Sequence, residues 1–419
     1  MKSSAQNPAV IGGTVPSGSL AKQVRTWLGV LGPGMITAAL VFGPSKVTIT
    51  SKLGAEYGFE LLWIIVVAIF FMVIFTAMSA RIGMATDQSF LSIVRRKWGK
   101  PAAVATGVGV FLVCASFQAG NSIGIGISIA ELLKSSPVPW IIGFNLFGIS
   151  LLFFRSFYKA LEKIMILLII IMLVAFLVTL FLSNPPIYEV AGGLVPSVPV
   201  GSLGLIIAFM ASCFSIVGAC YQSYLMQERR RIHPEGKQAS RDSFPGILIL
   251  GIMSAIVLIC AAAVLHPKNL PVNSGSDMAR VLEPLFGNYA SAFFLIGLFG
   301  AAFSSLIGNA SLGGTLMGDA LGYGSSFNSK VVRGLIALIM IIGAVIAILF
   351  GNLPIELMIF AQSITIFVVP FIGIALYLIA NDSGIMGNLK NTLYVKIFGG
   401  LGLVVLIALA IKNIQSLFF

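Results

Sequence analysis

The sequence predicts an all-α membrane protein of about eleven transmembrane helices, the first and sixth of them discontinuous. Three observations carry that prediction. Of the 419 residues, 58% are hydrophobic and only 10% charged, where a soluble domain carries about 25% charged residues. The mean hydropathy is +1.02, and apolar stretches of about 20 residues, enough to span the hydrocarbon core as a helix, recur along the chain. The third observation is where the helix-breaking residues fall: Gly43-Pro44-Ser45 interrupts the first apolar stretch, and Ser212, Ser215, Gly218, Gln222 and Ser223 place polar and small residues in the middle of the sixth.

In chain order, residues 1–25 form a polar, Ser- and Gly-rich segment with no apolar run, expected to be a disordered cytoplasmic tail rather than a cleaved signal. The spans follow at 26–54, 60–82, 102–130, 138–154, 161–183, 201–226, 244–266, 287–318, 331–351, 354–380 and 391–413, with short connections and no separate soluble domain. Their orientation follows from the 26 Lys and Arg residues. With the N-terminus inside, 20 lie in inside segments and 4 in outside ones, while Lys46 and Lys52 fall within the first span. Positive residues collect on the cytoplasmic side, so the chain is expected in a plasma (inner) membrane with its C-terminus outside. The same alternation accounts for the net charge of +12 without a nucleic-acid partner.

Cys114, Cys213, Cys220 and Cys260 all lie in apolar runs without CxxC spacing and are expected to be free buried thiols. His233 and His266 have no ligand partner at helical spacing, so neither points to a metal. Metalloprotease, nucleophile-elbow and phosphate-loop motifs are absent from the sequence, which argues against an enzyme and gives no reason to expect a cofactor. The basic cluster from Glu228 to Arg231 reads as an anchor at the cytoplasmic face, where it can meet membrane lipid.

Interrupted spans five apart are the pattern of a transporter built from inverted repeats, with its site at the membrane midplane; ordinary proline and glycine kinks are the plainer alternative. On the transporter reading, Gly43, Pro44, Ser45, Lys46, Ser212, Ser215, Gly218 and Gln222 are candidate substrate-binding residues. Thr48, Thr50, Asn121 and Asn309, and further along the eighth span Thr315, are candidate cavity-lining or coupling residues. Each Ser and Thr hydroxyl has the competing option of bonding its own helix backbone. Lys46 stands apart, because an ionisable group deep in a span is costly and marks function by default. It could snorkel to the interface, bind an anionic group beside the positive end of the following half-helix, act as a built-in cation, or titrate.

The collinear segments resemble the Nramp family of divalent-metal transporters. Gly32-Pro33-Gly34, eight residues, then Gly43-Pro44-Ser45-Lys46 has the spacing of that family's first span. Leu61-Leu62-Trp63 through Ser79-Ala80-Arg81-Ile82-Gly83 is similar to its second span. Phe294-Leu295-Ile296-Gly297-Leu298 with Ser304-Ser305 is similar to its eighth, and Ile385 to Asn391 to the loop after its tenth. The resemblance implies a leucine-transporter-like architecture of two inverted five-helix repeats, 26–183 and 201–380, plus an eleventh helix at 391–413. It also adds Gln362 on the tenth span to the candidate site.

The ligand motifs depart from the family's pattern. Its first-span Asp-Pro-Gly-Asn has Gly43 and Lys46 at the two ligand positions here. Its sixth-span Met-Pro-His aligns with Ser215-Ile216-Val217, and the acidic residue of its third-span proton path aligns with Asn121. Divalent cations want anionic oxygen, or sulfur and imidazole donors, and an added ammonium repels them. The expectation is therefore a secondary transporter working by alternating access, with a small solute bearing an anionic group as the favoured substrate. The alternatives are a divalent-metal transporter (manganese, iron or magnesium) with an altered site, and a non-transporting membrane sensor or scaffold. Oligomeric state is left open.

Overall fold

The computed structural model describes residues 32–153, 157–232, 244–270, 272, 277, 288–350 and 354–418, and the expected tail at 1–25 lies outside them. Every regular element in that set is a helix. The first span is two pieces, α1 (Gly32–Val41) and α2 (Pro44–Tyr57), followed by α3 (Leu62–Ala85) and α4 (Phe90–Leu133). Next come α5 (Pro137–Leu151), α6 (Phe157–Ser183) and a six-residue α7 (Ile187–Gly192) in the connection to the sixth span. The sixth span is α8 (Leu203–Phe214) and α9 (Ile216–Ile232). The rest is α10 (Phe244–Val264), α11 (Asn288–Leu321), α12 (Lys330–Phe350), α13 (Pro354–Asn381), the short α14 (Ser383–Met386) and α15 (Leu393–Phe418).

By length and composition, 8 of these helical segments can cross a membrane, with α8 and α9 taken together. The remaining expected spans coincide with the broken α1/α2, the 15-residue α5 and the proline-containing α13. Such a chain has to satisfy its backbone within each segment, because lipid offers no hydrogen bonds.

The two breaks are narrower than the sequence suggested. At the first, only Phe42 and Gly43 lie outside helix, and Ser45 and Lys46 are already helical. Pro44 is the reason: at the first position of a helix its missing N–H is no loss and its fixed φ favours the helix, so it starts α2 rather than breaking a span. At the second, the break is the single residue Ser215, at φ 30° and ψ 52°, and Gly218 lies within α9. A serine in the left-handed region costs on the order of 1 kcal/mol, so surrounding packing has to hold it there. The third span also bends, where Gly99 takes φ 88° two residues before Pro101. Just before that bend, Lys97 donates to Asp382 beyond α13, and this bond together with those from the Gly384 and Ile385 N–H groups holds the Asp382 carboxyl below its usual range.

Two sets of close helix packing stand out, and α1 and α6 touch helices of both. α11 lies along α4, with α12 against both and α5 beside them, while α3 packs on α9 and α2 on α10. By contrast, α9 touches α4 and α11 only lightly. Cys114, Cys220 and Cys260 are buried and free. Close approach of α2 to α10 depends on Gly54, where an added Cβ would stand 2.4 Å from the Leu258 carbonyl oxygen. Gly54→Ala is accordingly expected to lower stability by about 1–3 kcal/mol, the cost of overpacking against backbone, and thermal unfolding in detergent measures it. An unchanged melting temperature would show that these helices can separate freely.

Candidate central ion site

Both breaks open on one cavity. Leu40, Val41, Gly43, Ser45, Lys46, Phe117, Asn121, Ser212, Ser215 and Asn309 line a space of about 40 Å³. That is room for about two or three water molecules. The half-helix ends place the backbone groups, and α4 and α11 bring the amides of Asn121 and Asn309.

At the end of α1 the last carbonyls have no partner within their own helix. Here α11 supplies the donors: Ser304 Oγ reaches Ala39 O at 2.9 Å, Ser305 Oγ reaches Leu40 O at 2.9 Å, and Asn309 Nδ2 reaches Leu40 O at 3.2 Å. Oxygens that could have coordinated a cation are thus already hydrogen-bonded. Asn121 Nδ2 is 3.2 Å from Gln118 Oε1, and Gln118 in turn donates to Leu306 O at 2.8 Å, so the α4 amide is oriented by α11.

Lys46 occupies the first turn of α2, is 1% exposed, and carries its Nζ 4.7 Å from the centre of the Phe209 ring. The ring face stabilises a nearby ammonium, and more strongly where water is excluded. The polar side chains lining the cavity with it (Ser45, Asn121, Ser212, Ser215 and Asn309) are all neutral. Among the described residues no group of three or more His, Cys, Asp or Glu is placed to hold a metal ion.

Among the described side chains, the other candidates do not line this cavity. Pro44 packs into the space left by Gly124 on α4, where a Cβ would come within 2.4 Å of the proline ring. Gly218 lets α9 approach Val41. Gln222 Oε1 accepts a 2.5 Å hydrogen bond from Thr37 Oγ1 and ties α9 to α1. Thr48 and Thr50 are buried, and neither hydroxyl has a hydrogen-bond partner among the described residues. The Gln362 side chain lies outside the described residues, although its backbone belongs to α13.

Sequence reading passed over Ser304 and Ser305 as site residues, and Phe209 as the neighbour of Lys46. The adjacent serines inside an apolar span were the available signal. Phe209 gives none, because one aromatic in an apolar helix looks like any other.

Comparison with known proteins places this geometry. A family model described as natural resistance-associated macrophage protein-like (Nramp) matches residues 34–416. A divalent metal cation transporter of Deinococcus radiodurans is 26% identical over 415 residues, covering 95% of this chain and 92% of that protein. Another from Bacillus subtilis is 26% identical over 94% of this chain and 93% of its own length. Among solved structures, a manganese transporter of Eremococcus coleocola superposes with a TM-score of 0.72 at 22% identity, covering 96% of this chain and 89% of that one. A nucleobase-cation-symport-1 family transporter superposes with a TM-score of 0.56 at 12% identity, covering 92% of each chain. At such identities the structural likeness establishes the fold, the leucine-transporter-like arrangement that the family resemblance implied.

Proposed function

Because the chain belongs to the Nramp family of membrane transporters, we propose that it carries a small inorganic ion by alternating access, its two five-span halves, 26–183 and 201–380, moving around the central cavity. The observation that carries the reading is the pair of breaks, at Gly43 and Ser215, opening on one space. In this proposal the protein sits in a plasma (inner) membrane, N-terminus in the cytoplasm and C-terminus outside, on the 20-to-4 partition of basic residues.

A metal cation is the first cargo to test. Its support is the family and the relatives named as divalent metal cation transporters, which match nearly the whole chain. The cavity bears on how such a cation would be held. Neutral amide and hydroxyl donors suit a hard cation that keeps part of its water shell, such as magnesium or manganese, bound weakly. They do not suit a soft metal that needs sulfur or imidazole.

A compact inorganic anion is the second reading, and Lys46 is the specific observation that favours it. Among the small solutes bearing an anionic group that the sequence led us to expect, a cavity of about 40 Å³ favours a compact inorganic one.

Flux into proteoliposomes separates the readings. Saturable uptake of manganese or magnesium is the expected result, and chloride uptake without cation uptake would support the anion instead. Absence of flux for all three would overturn the transport reading and leave a sensor or scaffold.

A further inference from the structure

Asp319 is the one buried carboxylate among the described residues, 4% exposed in the last turn of α11. A carboxylate at that depth is costly unless hydrogen bonds replace its water. Three hydroxyls surround it. Tyr224 Oη on α9 is 2.7 Å from Oδ2, Ser89 Oγ at the start of α4 is 2.8 Å from Oδ1, and Ser92 Oγ is 3.4 Å from Oδ1.

The direction of the first bond is set by its surroundings. The Tyr224 oxygen already accepts the Leu91 backbone N–H at 3.1 Å, so its own proton goes to Asp319. The charged and titratable groups facing the carboxylate are Tyr224 and Cys220 from α9 and Arg95 from α4. Arg95 Nη2 is spent on the carbonyls of Asp319 and Ala320, at 3.1 and 2.5 Å.

This cluster joins α9 to α4 and α11, two helices it otherwise touches only lightly, and beside it Gln227 Nε2 donates to the Thr86 and Gln88 carbonyls in the connection before α4. α9 belongs with α3, whereas Ser89 and Asp319 sit on α4 and α11, so Tyr224–Asp319 crosses the seam between bodies that alternating access has to separate. In the proposed orientation this is the cytoplasmic side. Along α11, Asn309 lines the central cavity, Thr315 lines a smaller one beside Tyr221 and Tyr224, and Asp319 follows one turn later. The whole run is about 15 Å.

We propose that Asp319 is a proton-binding latch on the cytoplasmic seam. Ionised, it accepts from Tyr224 and the α4 hydroxyls and holds α9 closed. Taking up one proton on a carboxylate oxygen, with no other bond made or broken, it loses acceptor capacity and charge, and α9 is free to swing away from Thr315. The inference rests on the alternating-access reading for its purpose, though its test requires no flux.

The test uses Thr315→Cys as reporter, labelled by an impermeant maleimide from the cytoplasmic face of vesicles. Extrapolated to common thiolate reactivity, labelling is expected to rise about tenfold once the pH is low enough to protonate the carboxylate, the loss of one hydrogen bond to a charged group. Adding Asp319→Asn should make labelling fast at high and low pH alike. Tyr224→Phe, which keeps the ring, should raise labelling at high pH and is decisive if the Asn variant does not elute as a single species. Slow labelling in both variants, with the pH response of the reporter alone, would overturn the latch. A latch that responds as expected in a protein carrying no manganese, magnesium or chloride would count against the transport reading and leave the latch standing.

Discussion

Replacing Lys46 with methionine is expected to lower transport by about a hundredfold while leaving folding intact, which corresponds to about 2.8 kcal/mol at about 1.4 kcal/mol per tenfold. The side chain is 1% exposed, lines the cavity at the first break, and is supported by the Phe209 ring. Methionine, of similar length and without charge, can fill the same space beside the Phe209 ring, so the melting temperature should stay close to that of the unaltered protein. Lys46→Arg tests geometry separately from charge, because a planar guanidinium can stack on the ring but is larger and spreads its charge where the ammonium concentrates it; intermediate transport is expected. Full activity in the methionine variant would dismiss Lys46 as a structural residue. A rise in manganese flux would show that it only repels cations and takes no part in the cycle.

Manganese should bind the unaltered protein no more tightly than the millimolar range, about −4 kcal/mol, as measured by calorimetry. The reason is the donor set. The cavity offers neutral oxygens beside an ammonium, and the α1 carbonyls are committed to Ser304, Ser305 and Asn309. Rebuilding the first-span motif with Gly43→Asp and Lys46→Asn should tighten binding by about a hundredfold, through one anionic oxygen gained and one repelling charge removed. The φ of −98° at Gly43 admits a side chain, but the new Cβ would meet Ser305 Oγ at 2.8 Å, Ser305 Cβ at 3.0 Å and Asn121 Oδ1 at 3.1 Å, so Ser305→Ala in the same variant relieves the tightest contact, and Ser305→Ala alone is the control for the Leu40 carbonyl it releases. Tight binding by the unaltered protein, abolished by changes at Ser215 or Lys46, would show that the departures from the family's motifs do not weaken the site.

Much of the architecture was legible because a membrane span is a local decision. Each apolar stretch satisfies its own backbone and needs no distant partner to become a helix. The order of the spans could therefore be read directly, together with the interruptions near Gly43 and Ser215 and the cationic intruder at Lys46. Proline chemistry at Pro44 was equally local, yet it was read as a break when it is a helix start. Position within the turn, rather than residue type, determines that role.

The sequence by itself determined an all-helical membrane transporter fold with two interrupted spans, and led to the expectation that the family's metal ligands are replaced. Tertiary structure alone decided what the remaining groups do. Leu40 and Ser305 are 265 residues apart, yet their contact takes a free carbonyl out of the cation-binding inventory. Tyr224 and Asp319 are separated by 95 residues, and in sequence Asp319 is an unremarked acid at the end of an apolar run. Its burial, like the small volume of the cavity and the left-handed turn at Ser215, comes from helices closing on one another. Hydrophobicity along the chain says which segments enter the membrane; which polar groups meet there depends on how the segments pack.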